Sequence, residues 1–258
     1  MNIKLIALDL DGTLLRSDKT VSDYTINILK QCRERGNKVI YVTMRGATTL
    51  PFDTEGLFDG YIKNGGALAY DGDELVYLRT NTIDELRPTL LACSAAGIRT
   101  AVQNHYEKMH YANFDVASVW SYNDYSKIVN FADIDFDIVK TYVLADTDED
   151  KKIIAAHMPE NTHIFLCRDG LTFVYHKDAI KSKATMALAQ RWGIKREEIV
   201  AFGDDMIDVE FLQKLGIGVA MGNAIDQVKA IADQICDTND NDGVAKWIEA
   251  NVLGGEKC

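Results

Sequence analysis

Three features of the sequence predict an α/β fold: a doubly wound parallel sheet (a Rossmann-like core domain) interrupted by an inserted α+β cap domain. The apolar run Ile3–Leu8 ends in Asp9-Leu10-Asp11-Gly12-Thr13. It reads as a buried strand entering a turn, because it is too short for a helix and stops at Gly-Thr. Strand-like and helix-like segments then alternate to about residue 70 and again from Lys181 to Val252, the pattern of parallel strands with helices on both faces. Between these stretches the alternation gives way to a mixture of helices and hairpin-like strands. The expected division is a core of residues 1–80 and 181–258 around an insertion of residues 81–180.

Each element has a local reason. Ser22 to Gly36 carries Ile26, Leu29 and Cys32 at helical spacing, with Ser22 as a cap and Gly36 as a stop. Lys38–Thr43 is a second buried strand. Tyr61-Ile62 leads into the turn Asn64-Gly65-Gly66, and Ala67–Tyr70 resumes extended structure. In the insertion, Thr82 and Glu85 have capping-box spacing before a helix to Ala96, which Pro88 should kink or delay. Strands follow at Ile98–Gln103 and Tyr106–Tyr111, a helix at Val116–Lys127, a strand at Thr141–Ala145, a helix at Asp148–Met158, and strands at His163–Leu166 and Leu171–His176. The core resumes with a helix from Lys181 to Trp192, then strand Ile199–Phe202 and helix Asp205–Leu215. Strand Gly218–Ala220, helix Asp226–Ala232, strand Gln234–Cys236 and helix Val244–Val252 complete it.

Composition narrows the function classes. With 258 residues the chain has ample core for two modest domains, and 47% hydrophobic with 26% charged residues is ordinary for a globular protein. A net charge of −11 argues against nucleic-acid or anionic-membrane partners, whose phosphates it would repel. A small phosphorylated substrate stays open, because a local metal inverts the field of a site. Cys32, Cys93, Cys167, Cys236 and Cys258 are far apart and odd in number, which predicts reduced thiols. No signal-peptide pattern precedes the first strand and no run is long enough to span a membrane, so the expected location is the cytoplasm.

Four places at strand ends or helix starts carry reactive groups. Asp9 and Asp11, two residues apart, should face one side past the strand's carboxyl end. Such a pair needs a cation between its members or one protonated carboxyl; otherwise it is only an acidic turn capping the next helix. Thr43, Met44 and Arg45 follow the second strand, where a hydroxyl and backbone amides suit an anion. Lys181 opens a helix, with Lys183 two residues on. Gly203-Asp204-Asp205-Met206-Ile207-Asp208 ends a strand with three carboxylates. Singly, each has a bland reading as a solvated lysine, a turn hydroxyl or a helix cap. In a doubly wound sheet, however, these ends converge on one crevice. Carboxylates from two strands suit Mg²⁺, and a lysine with a hydroxyl-amide cluster complements a phosphate.

Asp9-x-Asp11-Gly12-Thr13-Leu14-Leu15, Thr43-x-Arg45, Lys181 and Gly203-Asp204-x-x-x-Asp208 resemble, in order, the four motifs of the haloacid dehalogenase superfamily. Ala220-Met221-Gly222-Asn223-Ala224 and Asp242-Gly243-Val244-Ala245 are similar to the tail of its Cof-type phosphatases, and Asn64-Gly65-Gly66 to that group's Asn-Gly-Ala turn. The resemblance implies a Mg²⁺-dependent phosphatase acting on a small phosphorylated metabolite; the expected substrate is a sugar or polyol phosphate, and the expected assembly, which the sequence leaves open, is a monomer or homodimer. It implies Asp9 as nucleophile forming an aspartyl-phosphate and Asp11 as general acid and then base. Thr43 and Lys181, with Met44 and Arg45, would bind phosphate. Mg²⁺ would be held by Asp9, Asp204 and the Asp11 carbonyl, supported by Asp208. The insertion would be the cap that reads the leaving group.

Three departures stand out. Met44 replaces a usual Gly, Ile207 a usual Asn and Ser182 a usual Gly. Met44 and Ile207 motivate a competing reading as a metabolite-binding or regulatory protein with vestigial activity, and a phosphomutase using the same aspartyl-phosphate is a further alternative. Elsewhere, His105 and His110 read as hairpin packing rather than a metal site. The Asp133, Asp135, Asp137 run reads as a solvated connection, and Trp120, Tyr122 and Tyr125 as a helix face. His105, Tyr106, His110 and Arg168 could line the substrate side of the cap.

Overall fold

A computed structural model describes residues 2–46, 50, 52–106, 108–119, 125–166 and 171–254. The chain forms two compact units, Met1–Leu78 with Ile180–Cys258, and Arg79–Ala179.

The first unit begins with β1 (Leu5–Asp9), α1 (Asp23–Glu34), β2 (Lys38–Val42), β3 (Gly60–Lys63), β4 (Leu68–Asp71) and β5 (Glu74–Leu78). Ser22 caps α1, its hydroxyl accepting the Thr25 N–H at 3.0 Å. The second unit contains α2 (Ile83–Ala95), β6 (Arg99–Gln103), β7 (His110–Ala112), β8 (Ser126–Ile128), β9 (Lys140–Leu144), α3 (Asp148–His157), β10 (Thr162–Leu166) and β11 (Leu171–His176). The first unit then resumes with α4 (Lys181–Arg191), β12 (Ile199–Gly203), α5 (Val209–Lys214), β13 (Ile217–Ala220), α6 (Asp226–Ile231), β14 (Gln234–Ile235) and α7 (Gly243–Asn251).

In the first unit the strand order is β14-β13-β12-β1-β2-β3-β4-β5. Strands β14 to β3 run parallel, and β4 and β5 add an antiparallel edge. Every residue of β1 and β12 is buried, as a parallel strand covered on both faces requires. Register sets Leu8 beside Phe202 and Asp9 beside Val42. The carboxyl ends of β12, β1 and β2 therefore lie side by side, and the residues just past them share one edge of the sheet. Around these strands Leu5, Ile6, Leu8, Ile28, Leu29, Phe202, Phe211 and Ile248 form the buried core.

The second unit has its own six-stranded sheet, order β10-β11-β9-β6-β7-β8, antiparallel except where β7 meets β8. Leu86, Leu90, Val102, Phe131 and Ile138 form one buried cluster, and Cys93, Ile98, Val143, Ile154 and Val174 another. The Thr82–Glu85 capping box is made in both directions, and α2 starts at Ile83 with Pro88 inside it rather than being delayed.

Several local expectations are corrected. The helix expected over Val116–Lys127 is not formed in the described residues. Val116–Ser118 is a single 3-10 turn, opened by the Asp115 carboxylate accepting the Ala117 N–H at 3.1 Å, and Ser126–Ile128 is β8. Trp120 and Tyr122 lie outside the described residues, as do Arg168, Cys167 and Cys258. The strand expected over Tyr106–Tyr111 is confined to His110–Ala112, and β5 was not anticipated. Cys32, Cys93 and Cys236 are free thiols. Among the described residues no helix is long and apolar enough to cross a membrane.

Candidate active site

Asp9 is the last residue of β1 and is 5% exposed. Lys181, the first residue of α4, lies 3% exposed, and its Nζ donates at 2.6 Å to Asp9 Oδ1 and at 2.6 Å to Asp208 Oδ1. Lys183, two residues on, is exposed. A glycine explains how α4 comes so close. Gly66 has φ +102°, and a Cβ there would stand 2.6 Å from the Lys181 nitrogen, so only a residue without one lets the turn after β3 pass beneath the helix start.

Asp208 is fully buried and uses both oxygens. Oδ1 takes the lysine, while Oδ2 accepts the backbone N–H groups of Asp204 at 3.1 Å and Asp205 at 3.2 Å. It thereby folds residues 206–208 into a 3-10 turn before α5, where a continuous helix from Asp205 was expected. Asp204 meets the turn after β1 from the other side. Thr13, buried, donates its hydroxyl to Asp204 Oδ1 at 3.2 Å. Gly12, at φ +82°, leaves room for that carboxylate, since a Cβ would lie 2.3 Å from Asp204 Oδ2.

Carboxylate oxygens of Asp9, Asp204 and Asp208 all lie within 4.8 Å of one another. One lysine cannot balance three carboxylates, and the proton equilibria reflect it. Burial, followed by Asp208, pushes Asp204 up to about 6. Burial likewise raises Asp9, against the pull of Lys181 and with a further push from Asp208 and Asp204. Burial works against the Lys181 ammonium, but Asp208 and Asp9 outweigh it and hold its pKa above the ordinary lysine value. A buried cluster of hard oxygen donors with surplus negative charge fits a divalent cation.

Asp11 belongs to a different group. β1 ends at Asp9, so strand alternation does not carry on to Asp11, and its carboxylate stays outside the trio. Its oxygens accept from Arg45 Nε at 2.7 Å, Arg45 Nη2 at 2.6 Å and Lys19 Nζ at 2.9 Å. Burial opposes ionisation, yet Arg45 and Lys19 hold the Asp11 pKa below the usual carboxylate value. Thr43 is 2% exposed, and its hydroxyl accepts the Arg45 N–H at 3.1 Å. Its neighbourhood is laced to the next turn, with Gly65 N–H donating to Thr43 O at 3.0 Å and Asn64 N–H to Arg45 O at 2.9 Å. Met44 is half-buried and is not among the residues of positive φ, so the backbone here does not need glycine.

Thus Asp9, Lys181, Asp204 and Asp208 are brought together, and Asp11, Arg45 and Thr43 stand in a linked cluster. Thr13 was legible as part of the opening motif, although its bond to Asp204 was not. Lys19 carries no sequence signal; it reaches Asp11 from a turn with φ 68°. In the second unit His110 is buried with Nε2 2.8 Å from Gln103 Nε2, and Asp133, Asp135 and Asp137 are exposed.

A family model of haloacid dehalogenase-like hydrolases matches residues 6–248. The 5-amino-6-(5-phospho-D-ribitylamino)uracil phosphatase YitU of Bacillus subtilis is 27% identical over 259 residues, covering 95% of this chain and 96% of its own. Pyridoxal phosphate phosphatase YbhA of Escherichia coli is 25% identical over 278 residues, covering 98% and 100%. Among solved structures, the subclass IIB sugar phosphatase BT4131 matches with a TM-score of 0.82 at 25% identity, over 96% of this chain and 98% of that one.

Proposed function

This chain belongs to the haloacid dehalogenase-like hydrolase family and is a phosphatase; on that premise we propose a substrate class, a cofactor and residue roles. It hydrolyses a small phosphorylated metabolite, a sugar or polyol phosphate, with Mg²⁺ as cofactor. Residues 1–80 and 181–258 are the catalytic domain, and residues 81–180 are the cap that discriminates the leaving group.

Asp9 is the nucleophile. Its carboxylate attacks phosphorus, the bond to the leaving oxygen breaks, and Asp11 gives that oxygen its proton. The aspartyl-phosphate so formed is hydrolysed when Asp11, now ionised, takes a proton from the attacking water. Asp11 at rest is held ionised by Arg45 and Lys19, which suits the second step. In the first step the phosphoryl oxygens compete for Arg45 and ease the protonation of Asp11. Thr43, the Met44 and Arg45 backbone and Lys181 hold the phosphoryl group, and Lys181 also fixes Asp9. Asp9, Asp204 and the Asp11 carbonyl hold the cation, with Asp208 keeping the loop in place. When bound, the cation supplies the positive charge that phosphoryl transfer needs against developing negative charge.

The observation that carries this reading is the buried lysine at 2.6 Å from both Asp9 and Asp208, inside a carboxylate trio at adjoining strand ends. The test is a panel of phosphate esters assayed with MgCl₂ and with chelator, beside Asp9→Asn. Release of phosphate should require the metal and vanish in the variant. Turnover that persists in chelator or in Asp9→Asn would overturn the assigned chemistry.

A further inference from the structure

The turn between β1 and α1 is tied down from the far end of the chain. Asn223, just past β13, donates from Nδ2 to the carbonyl of Gly12 at 2.8 Å. Its Oδ1 accepts the N–H of Asn239 at 2.9 Å, and Asn239, 7% exposed, donates from its own Nδ2 to the carbonyl of Leu15 at 2.9 Å. Two amide side chains thus hold the two ends of the segment Gly12–Leu15.

That segment is the wall against which Asp204 rests, through the Thr13 hydroxyl and the space left by Gly12. It also folds back on the nucleophile, with Leu14 N–H donating to the Asp9 carbonyl at 3.2 Å. The loop that carries Asn223 grips the other side as well. Met221 N–H donates to Gly203 O at 3.1 Å, and Ile225 N–H to Asp204 O at 3.1 Å. A single loop, residues 221–225, therefore reaches both the Asp9–Thr13 turn and the Gly203-Asp204 strand end.

We infer that Asn223 and Asn239 are positioning residues for the cation site, because they fix the Gly12–Leu15 turn and so set the spacing between Asp9 and Asp204. The inference rests on the reading of the carboxylate trio as a divalent-cation site. Neither amide is within the trio, so both act through the turn. Groups that orient metal ligands from outside change metal affinity by about 10–100-fold when removed. A part that braces the fold alone would change stability and leave affinity untouched.

The test is calorimetric titration of the metal-free full-length chain with MgCl₂ for wild type, Asn223→Ala and Asn239→Ala, with Asn241→Ala as control. Asn241 donates its side-chain hydrogen bond to Asp237 at 3.2 Å rather than to the turn. Asn223 is exposed, so its variant keeps the core intact, and it decides the matter should Asn239→Ala fold poorly. We expect Asn223→Ala to weaken Mg²⁺ binding by about tenfold, with the metal-free melting curve nearly unchanged and the control at wild-type affinity. In the assay, the variant's Mg²⁺ requirement should rise while its rate at saturating metal falls less. Wild-type affinity in Asn223→Ala sinks this inference alone. No cation binding by the wild-type chain sinks the site reading beneath it.

Discussion

Replacing Lys181 by Met keeps most of the aliphatic stem and deletes the ammonium. The side chains of Lys181, Asp9 and Asp208 are 3%, 7% and 1% exposed, so water cannot take its place. Two charge-assisted hydrogen bonds disappear, and Asp9 and Asp208 face Asp204 with no cation among them. Breaking a buried pair by removing one partner costs about 3–5 kcal/mol. Protonation of a carboxylate limits the loss, at about 1.4 kcal/mol for each pKa unit it must rise. The expected loss at neutral pH in chelator is therefore toward the lower end, about 3 kcal/mol. Urea unfolding followed by tryptophan fluorescence reads it, since Trp192 and Trp247 both pack on the first unit's core. MgCl₂ should narrow the gap between variant and wild type, because the extra negative charge binds the cation more tightly and ligation at 100 times Kd adds about 2.7 kcal/mol. A loss below about 1 kcal/mol, or a gap indifferent to Mg²⁺, would refute the view that this lysine balances the trio.

Other substitutions probe single links. Gly12→Ala forces an L-residue to φ +82° and puts a methyl into the Asp204 carboxylate; it should destabilise by more than about 1 kcal/mol and weaken Mg²⁺ binding, both measurable by thermal melts with and without metal. Met44→Gly should lower stability by about 0.4–1 kcal/mol without raising turnover, because the Met44 backbone is not in the positive-φ region; a sharp gain in activity would favour the vestigial-activity reading instead. Asp59 is partly buried, which opposes ionisation, but Arg33, the Val39 N–H and Lys38 hold it below its ordinary value of 3.8. A depressed carboxylate stabilises the fold above its unfolded pKa and loses that contribution as pH falls through the folded one. The stability gap between wild type and Asp59→Asn should therefore be full at neutral pH and close below about pH 4, as followed by urea melts across pH.

What the sequence made legible was what local chemistry decides. β1, α1 and β2 follow from a short apolar run, a serine cap with helical spacing and a second apolar run, and parallel strands buried on both faces leave little ambiguity. Where distant groups decide, local rules fall short. The Gly203–Asp208 segment has helix-start character, but Asp208 must answer both Lys181 and the Asp204 and Asp205 amides, and the first turn tightens accordingly. Asp11 reads as Asp9's neighbour on one strand face, yet the strand ends at Asp9, two residues before it, and Arg45 and Lys19 claim the carboxylate. Residues 116–127 had apolar spacing suited to a helix, whereas their ends are held by an Asp115 turn and by pairing of β8 with β7. Neither constraint is visible in a window of that length.

The strand order of the first unit has a consequence for biosynthesis. β1 finds one partner, β2, a few dozen residues along, but its other, β12, pairs Leu5 with Ile199. On a ribosome, the contiguous Arg79–Ala179 unit is synthesised before three of the eight strands of its host sheet, β12 to β14. Domains fold as units once their sequence is available, so the insertion can mature first and β1 stays open on one flank until β12 arrives. Translational stalling near residue 180 would leave an unpaired β1 edge exposed to other chains, a hazard that the finished molecule no longer has.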